Sequence, residues 1–180
     1  HGGHTPDACF ANARAYNREL TSAEISAAYA ASPASVSKLF EVVASDWNGS
    51  GNWYAKTGQT VNKGGSPTKT TKGGQQCVNI NQDGEYFEYG INVGPRSMPV
   101  LTMETTVWVN SRANNRGWLM GDEDTGCDRY ILIHDDRVGA AQTGSSCFSS
   151  AWEAPAVHVG AWNHIVSYYN QNTGESYMVV

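Results

Sequence analysis

The sequence has few charged residues and no long apolar run. Charged residues are 16% of the 180, and the 17 Asp and Glu outnumber the 12 Lys and Arg, for a formal net charge of −5. Basic residues never form a run longer than a pair, which argues against nucleic acid or an anionic membrane as partner. No apolar run approaches the ~20 residues of a membrane-spanning helix, so we expect no membrane span. An initiating Met and a signal-peptide pattern are missing, which indicates a mature or excised piece.

Cysteines are few, and none lies in a CxxC pair or in a cluster with zinc spacing, which argues against a zinc knuckle. The four cysteines are Cys9, Cys77, Cys127 and Cys147. An even number in a chain rich in Gly, Thr and Asn predicts two disulfides and an oxidising, extracellular setting. Of the three possible pairings we favour Cys127–Cys147, which closes a hairpin-like segment, with Cys9–Cys77 by elimination.

The abundant residues favour β-structure in a single domain. The chain is 40% hydrophobic and contains 19 Gly, 9 Tyr and 6 Trp, a composition typical of an all-β protein with many turns. Its length suits one sizeable core. Apolar alternation predicts an antiparallel sandwich. The predicted strands lie at 8–16, 36–44, 99–110, 116–120, 129–134 and 138–142, and a hairpin at 161–180.

Three features depart from this regular pattern of strands. The spacing of Thr21 and Glu24 matches a capping box and predicts a helix of about ten residues that ends at Pro33. The Gly, Ser, Thr, Asn and Lys in segment 46–76 predict long surface loops with little core. The last run of the hairpin stops at Val180 while still apolar, which suggests that residues from elsewhere finish the structural unit.

Four stretches resemble the laminin-G-like jelly roll, the concanavalin A-like lectin and glucanase fold. Residues 160–169, GAWNHIVSYY, resemble its G-x-W-x-H-[IV]-[VA] strand, and residues 98–109 resemble its TIEMWV strand. Residues 46–52 resemble its D-x-SGN loop, and residues 15–25 are similar to the YNRALSxxEI stretch with which such domains end. The resemblance implies an all-β, antiparallel jelly-roll sandwich over the whole of residues 1–180.

The order of these stretches differs from the family, since the closing stretch comes first. Either the single domain is circularly permuted, or residues 1–33 complete a neighbouring unit while residues 34–180 form the main sandwich. Exchange has a physical motive, because an open sandwich exposes strand edges and an apolar face that a neighbour's strand can cover. A head-to-tail contact that does not close into a ring produces a filament.

Catalytic patterns are weak in this sequence. Glycanases of this fold carry an E-x-D-x-x-E strand, and neither Glu85–Glu88 nor the isolated Glu104 matches it, so we expect no glycoside hydrolase. No Ser/His/Asp arrangement is readable, and we expect His164 to pack or hydrogen-bond within the sheet. A third, weaker hypothesis is a copper-dependent polysaccharide oxidase, in which an N-terminal His chelates copper with a second His. The histidines concerned are His1, His4, His158 and His164.

The D-x-SGN-like loop carries the remaining candidate sites. The resemblance implies Asp46 and Asn48 as calcium ligands, with a hydrogen-bonded Asx turn as the alternative, and oxygen-ligand chemistry adds Asp122 and Asp124. Asn48 also opens the sequon Asn-Gly-Ser, a glycosylation acceptor in a secreted protein. We expect Trp47, Trp53 and Tyr54 to be exposed and able to stack on sugar rings; alternatively they cap one end of the sandwich.

Together these features predict a secreted, disulfide-stabilised protein without catalytic machinery. The first hypothesis is a structural repeat or subunit of an extracellular fibre or adhesive surface assembly, formed by strand exchange between copies of itself. It requires no cofactor. The rival is a lectin-type module that binds glycans, with calcium as a possible cofactor.

Overall fold

The computed structural model describes residues 7–30, 37–94, 96–111, 117–122, 128–134, 137–143, 150–153 and 157–180. Within them lie fourteen strands and one α-helix, so the predicted all-β antiparallel fold with one short helix is confirmed. The described residues contain no helix that could span a membrane. The elements are β1 (Ala8–Tyr16), α1 (Ser22–Ala30), β2 (Phe40–Val43), β3 (Trp53–Tyr54), β4 (Thr60–Gly64), β5 (Thr68–Lys72), β6 (Gln75–Ile80), β7 (Tyr86–Tyr89), β8 (Val100–Val109), β9 (Gly117–Asp122), β10 (Asp128–His134), β11 (Arg137–Thr143), β12 (Ser150–Glu153), β13 (Trp162–Asn170) and β14 (Glu175–Val179).

The described strands form one large sheet and two smaller ones. The seven-stranded sheet has the order β14-β13-β8-β1-β6-β5, with β2 also paired to β1. The smaller sheets have the orders β12-β11-β10-β9 and β3-β4-β7. Strand β1 lies in the middle of the large sheet: it pairs with β8 along one side and with β6 and then β2 along the other. The first predicted strand is therefore the centre of the fold, within the chain's own sheet.

The apolar core lies between the large sheet and the two smaller sheets. Alternation along β8 puts Leu101, Met103, Val107 and Val109 into this core, as the sequence predicted. Side chains from both smaller sheets meet them there, including Trp53 and Val61 from one and Ile131 and Ile133 from the other. Each such side chain contributes roughly 1.5–3 kcal/mol by leaving water. Burial of one strand face against a second layer is what holds the sandwich together.

The disulfide between Cys9 and Cys77 joins β1 to β6 within the large sheet. Their Cα atoms are 5.5 Å apart, and both side chains are fully buried. The pairing that remained by elimination is confirmed. The other predicted disulfide, Cys127–Cys147, joins two residues that lie outside the described part of the chain.

The prediction of long surface loops over segment 46–76 is wrong. Strands β3, β4 and β5 and the start of β6 occupy much of it. The polar composition was misleading because β5 is an edge of the large sheet in the described part of the chain. Its Thr and Lys residues suit a strand with one solvated face.

The capping box at the start of α1 is confirmed by two reciprocal hydrogen bonds. Thr21 Oγ1 accepts from the Glu24 N–H at 3.2 Å, and Glu24 Oε2 accepts from the Thr21 N–H at 2.9 Å. Arg18 Nη2 also donates to Glu24 Oε1 at 2.6 Å. The bond from Arg18 is the main reason that the pKa of Glu24 is lowered to about 2.

We expect Thr21→Ala to destabilise α1 by about 1 kcal/mol, because an N-cap hydroxyl satisfies a helix donor that is otherwise unpaired. Hydrogen exchange of the helix amides should then become roughly fivefold faster. Ser26→Ala is the control, since that hydroxyl donates to the Ser22 carbonyl within the helix and does not cap it. Equal exchange rates in the parent and in Thr21→Ala would contradict a role of the cap.

Candidate functional site

The aromatic residues of the D-x-SGN-like loop are divided between core and surface. Trp47 and Trp53 are buried at 1% and 3% exposure, whereas Tyr54 is 71% exposed. Both tryptophan rings meet the Phe87 ring edge-on, at centroid distances of 5.3 and 5.2 Å. The predicted exposure is therefore wrong for Trp47 and Trp53, because these large apolar rings contribute more by burial in the core than on the surface. Only Tyr54 keeps a face for a sugar ring.

Asn48 lies on the surface of this loop. Its Oδ1 accepts from the Ser50 N–H at 2.9 Å, the hydrogen bond of an Asx turn. This contact matches the structural alternative to a calcium ligand. The exposed side chain is also accessible for glycosylation, which stays a prediction.

The candidate calcium ligands do not converge in the described part of the chain. Asp46 pairs with Lys56, with 3.5 Å between Oδ2 and Nζ. No three His, Cys, Asp or Glu side chains gather there into a group able to hold a metal. The Asp122 side chain and all of Asp124 lie outside the described residues, as do His1 and His4. Calcium and copper binding stay predictions.

A buried polar network, formed by Arg14, Tyr16, Glu41, Glu104 and His164, lies on the face of the large sheet away from the core. Strand register places Arg14 beside Glu104 on one side and beside Glu41 on the other. Arg14 Nε donates to Glu41 Oε1 at 2.8 Å, and Arg14 Nη1 donates to Glu104 Oε1. Arg14 is 4% exposed and Glu104 is fully buried. Charged side chains this deep are stable only when they are paired.

Glu104 is the acceptor that connects most of the network. Its Oε2 accepts from the Tyr16 hydroxyl at 2.7 Å, and its Oε1 lies 3.1 Å from His164 Nε2. Because a carboxylate only accepts, His164 Nε2 is the donor. The expectation that His164 hydrogen-bonds within the sheet is confirmed. Lys38 Nζ contacts both oxygens of Glu41 at 3.0 and 3.1 Å, so the two carboxylates of the network face two basic side chains, Arg14 and Lys38.

The pKa values in this network are set by burial and by the neighbouring charges. Burial alone raises the pKa of Glu104, but the hydrogen bond from His164, the charge of Arg14 and the bond from Tyr16 outweigh it, so the pKa is lowered. Burial raises the pKa of Tyr16, and the charge of Glu104 raises it further. For Arg14, burial lowers the pKa, but Glu104 and Glu41 together raise it. Each charged form is thus held in place by its partners.

Acid should weaken the fold through Glu104. Its pKa is lower in the folded state than its ordinary value of 4.5, so its stabilising contribution is present above that value and is lost as the pH falls through the lower, folded pKa. We expect the urea midpoint to fall as the pH drops below about 4.5. Glu104→Gln should show a flatter acid limb. The same slope in both proteins would place the acid sensitivity elsewhere.

Sequence reasoning missed this network and treated Glu104 as isolated. Glu104 alternates along β8 with Thr102 and Thr106, and three polar residues at every second position are typical of the solvated face of a strand. The usable signal was the single charged or imidazole residue inside several apolar strands: Arg14 in β1, Glu41 in β2 and His164 in β13. The sequence does not reveal that these strands are neighbours.

Arg129 of β10 is a second buried cation, at 2% exposure. Its Nη1 donates to the carbonyls of Val93 and Met98 at 3.2 and 2.5 Å, and its guanidinium lies 4.1 Å from the Tyr169 ring centre. Burial lowers its pKa to about 10. The guanidinium therefore remains charged at neutral pH and holds the segment before β8 against β13.

The sequence-predicted site residues thus separate into a core pair, an exposed tyrosine and a surface Asx turn. The polar network that the fold assembles is elsewhere, across β1, β2, β8 and β13. No protein-family model, no curated protein and no solved structure matches this chain.

Proposed function

We propose that this chain is a secreted, non-enzymatic structural protein, a laminin-G-like jelly-roll unit that builds an extracellular fibre or adhesive surface assembly. Neighbouring copies exchange the segment 1–33, so that β1 of one copy lies in the large sheet of the next. The observation that carries the proposal is the position of β1. Eight of its nine residues are buried, and it pairs with three other strands.

Exchange keeps all of these contacts, because the same strand fills the same place in an identical neighbour. Residues 17–39 connect β1 to β2. With α1 intact, this connection can extend to roughly 60 Å, at ~3.3 Å per extended residue and 1.5 Å per helical residue. The α1 side chains from Ser22 to Ala27 are exposed or half-buried, so this part of the helix packs little against the sandwich.

The edge of the large sheet gives a second reason for self-association. Strand β14 has a paired neighbour on one side only among the described strands, and Val179 on it is 42% exposed. Exposed apolar edges favour pairing with another chain. The Cys9–Cys77 disulfide and the exposed sequon at Asn48 are compatible with secretion.

The buried polar network supports a structural role rather than catalysis. Both oxygens of Glu104 accept hydrogen bonds from side chains of the same chain, and Glu41 contacts Arg14 and Lys38. A general acid or base must reach a substrate proton. These groups instead hold β1, β2 and β8 in register.

The disulfide offers a direct test of the exchange. In a closed chain Cys9 and Cys77 belong to the same molecule, whereas in an exchanged assembly they join two molecules. We would unfold, reduce and mix heavy-isotope and unlabelled chains, refold them under oxidising conditions, and analyse the unreduced Cys9–Cys77 peptide by mass spectrometry. We expect about half of these peptides to combine heavy and light halves, and we expect filaments in electron micrographs.

Cys9→Ala is the matched control, because it removes this cross-link while leaving Cys127 and Cys147 in place. A ladder of oligomers on non-reducing gels should be present for the parent and lost for Cys9→Ala. Peptides that are only heavy or only light, together with discrete monomers in the microscope, would mean that the chain is a closed, permuted unit.

Glycan binding is the second candidate, and the exposure of Tyr54 favours it. Its ring provides an accessible apolar face on which a sugar can stack. In a glycan-array experiment Tyr54→Ala should then lose the signal while Tyr54→Phe keeps it. If no glycan binds the monomeric parent above background, this candidate is excluded.

A further inference from the structure

A cavity of about 180 Å³ lies inside the sandwich, lined by the large sheet, the sheet β3-β4-β7 and strand β9. Its walls are mostly apolar, with Ala13 and Val61 among them, while Trp53 adds an indole. Tyr86 at 43% exposure and the exposed Gly121 belong to its lining, so these residues mark its mouth. An apolar cavity of this size is large enough for a small organic molecule, since a cavity of roughly 150 Å³ holds benzene.

The lining includes a few polar side chains, and Trp53 is the one that adds an unpaired donor. Asn12 and Glu85 also line the cavity, but their side-chain oxygens already accept hydrogen bonds from backbone N–H groups. Its side chain is 97% removed from solvent, at 3% exposure, and it lines the cavity. Its indole Nε1–H is buried and has no acceptor among the residues that the structure describes. A buried donor without an acceptor is unfavourable, and native proteins rarely leave one unpaired without a reason. A ligand that brings an acceptor into the cavity would remove this defect.

We propose that this cavity is a binding site for a small neutral molecule, one ring or a short branched chain in size, that carries a single hydrogen-bond acceptor. The apolar part contacts Ala13, Val61 and their neighbours, and a carbonyl or ether oxygen accepts from Trp53 Nε1–H. Sugar-like ligands do not fit, because the few polar side chains of the lining offer too few partners for their many hydroxyl groups, and the Glu85 carboxylate disfavours an anion. The site is independent of the proposed assembly and of Tyr54.

Acetophenone and ethylbenzene make a matched pair of probes, since they have similar shapes and only the first has an acceptor. We would titrate each into the folded full chain labelled with ¹⁵N and with ¹³C in the valine methyl groups. Acetophenone should cause saturable shifts in the Val61 methyls and move the Trp53 indole N–H signal downfield. Ethylbenzene should shift the methyls and bind two- to tenfold more weakly, the loss expected for one hydrogen bond.

Two variants separate the hydrogen bond from the apolar contact. Trp53→Phe identifies the indole signal and should weaken acetophenone binding two- to tenfold, while ethylbenzene binding changes less than twofold. Ala13→Leu fills the cavity and should abolish the binding of both probes. Leu101→Met, a core residue outside the cavity lining, should leave both affinities unchanged.

The proposal is overturned if neither probe gives saturable shifts of the lining residues up to its solubility limit. It is also overturned if Ala13→Leu remains folded and binds both probes as the parent does, because binding is then elsewhere. The parent titration and Trp53→Phe decide the matter even if Ala13→Leu does not fold. Equal affinities for the two probes in the parent would rule out the hydrogen bond from Trp53.

Discussion

Glu104→Gln is expected to lower the free energy of unfolding by about 3–5 kcal/mol, because removing one member of a buried ion pair leaves the other charge uncompensated. The variant keeps nearly the same side-chain volume, so the loss reports charge and hydrogen bonding rather than a cavity. Arg14 would lose one of its two carboxylate partners, and Tyr16 and His164 would lose the carboxylate that accepts from them. Urea unfolding followed by tryptophan fluorescence measures the change.

Asp46→Asn provides the matched control. It also changes a carboxylate to an amide, but Asp46 pairs with Lys56 at the surface, where both side chains are at least 41% exposed. Surface pairs of this kind contribute about 0–1 kcal/mol. If Glu104→Gln is no more destabilising than Asp46→Asn, the network does not hold the sheet. The combination of Glu104→Leu with Arg14→Met should recover part of the loss, because it removes both charges together.

Removal of the Cys9–Cys77 disulfide should cost about 4 kcal/mol of stability. In a monomer that keeps β1 in its own sheet, the bridge closes a loop with a sequence separation of 68 residues, and the chain-entropy model assigns about 4 kcal/mol to a loop of this length. We expect Cys9→Ala combined with Cys77→Ala to unfold at a much lower urea concentration than the oxidised parent. The two small residues also fit the fully buried positions without a clash.

Reduction of the parent gives an independent control for this prediction. Dithiothreitol should lower the urea midpoint of the parent towards that of the double variant. Any change in the midpoint of the double variant itself is due to reduction of Cys127 and Cys147. Equal midpoints for the oxidised parent and the double variant would contradict the expected constraint on the unfolded chain.

Secondary structure was predictable wherever the local pattern was strong. The strand at Ala8–Tyr16 and the alternating strand β8 were both predicted to within a residue at each end, and the Thr21–Glu24 spacing predicted the start of α1. These features depend on neighbours along the chain, so the sequence contains the information directly. The prediction of surface loops over segment 46–76 was wrong because a polar edge strand and a surface loop have similar compositions.

The candidate site was less predictable, because its residues meet only through strand order. Exposure of Trp47 and Trp53 was one of two expectations, and both rings pack against Phe87 in β7, a strand that the sequence pattern did not predict. The two partners of Glu104 in β1, Arg14 and Tyr16, are about ninety positions distant in the sequence. Neither the burial of Glu104 nor its lowered pKa follows from its own strand.

The sequence by itself therefore determined the all-β class, the strand faces, the helix cap and the cysteines available for pairing, because each depends on local periodicity or composition. Only the tertiary structure decided that β1 lies between β8 and β6, and with it the polar network, the burial of the two tryptophans and the cavity beside Trp53. The physical reason is that burial and electrostatic environment are properties of contacts between distant segments. Alternation shows which face of a strand is apolar, but it does not show which strand lies beside it.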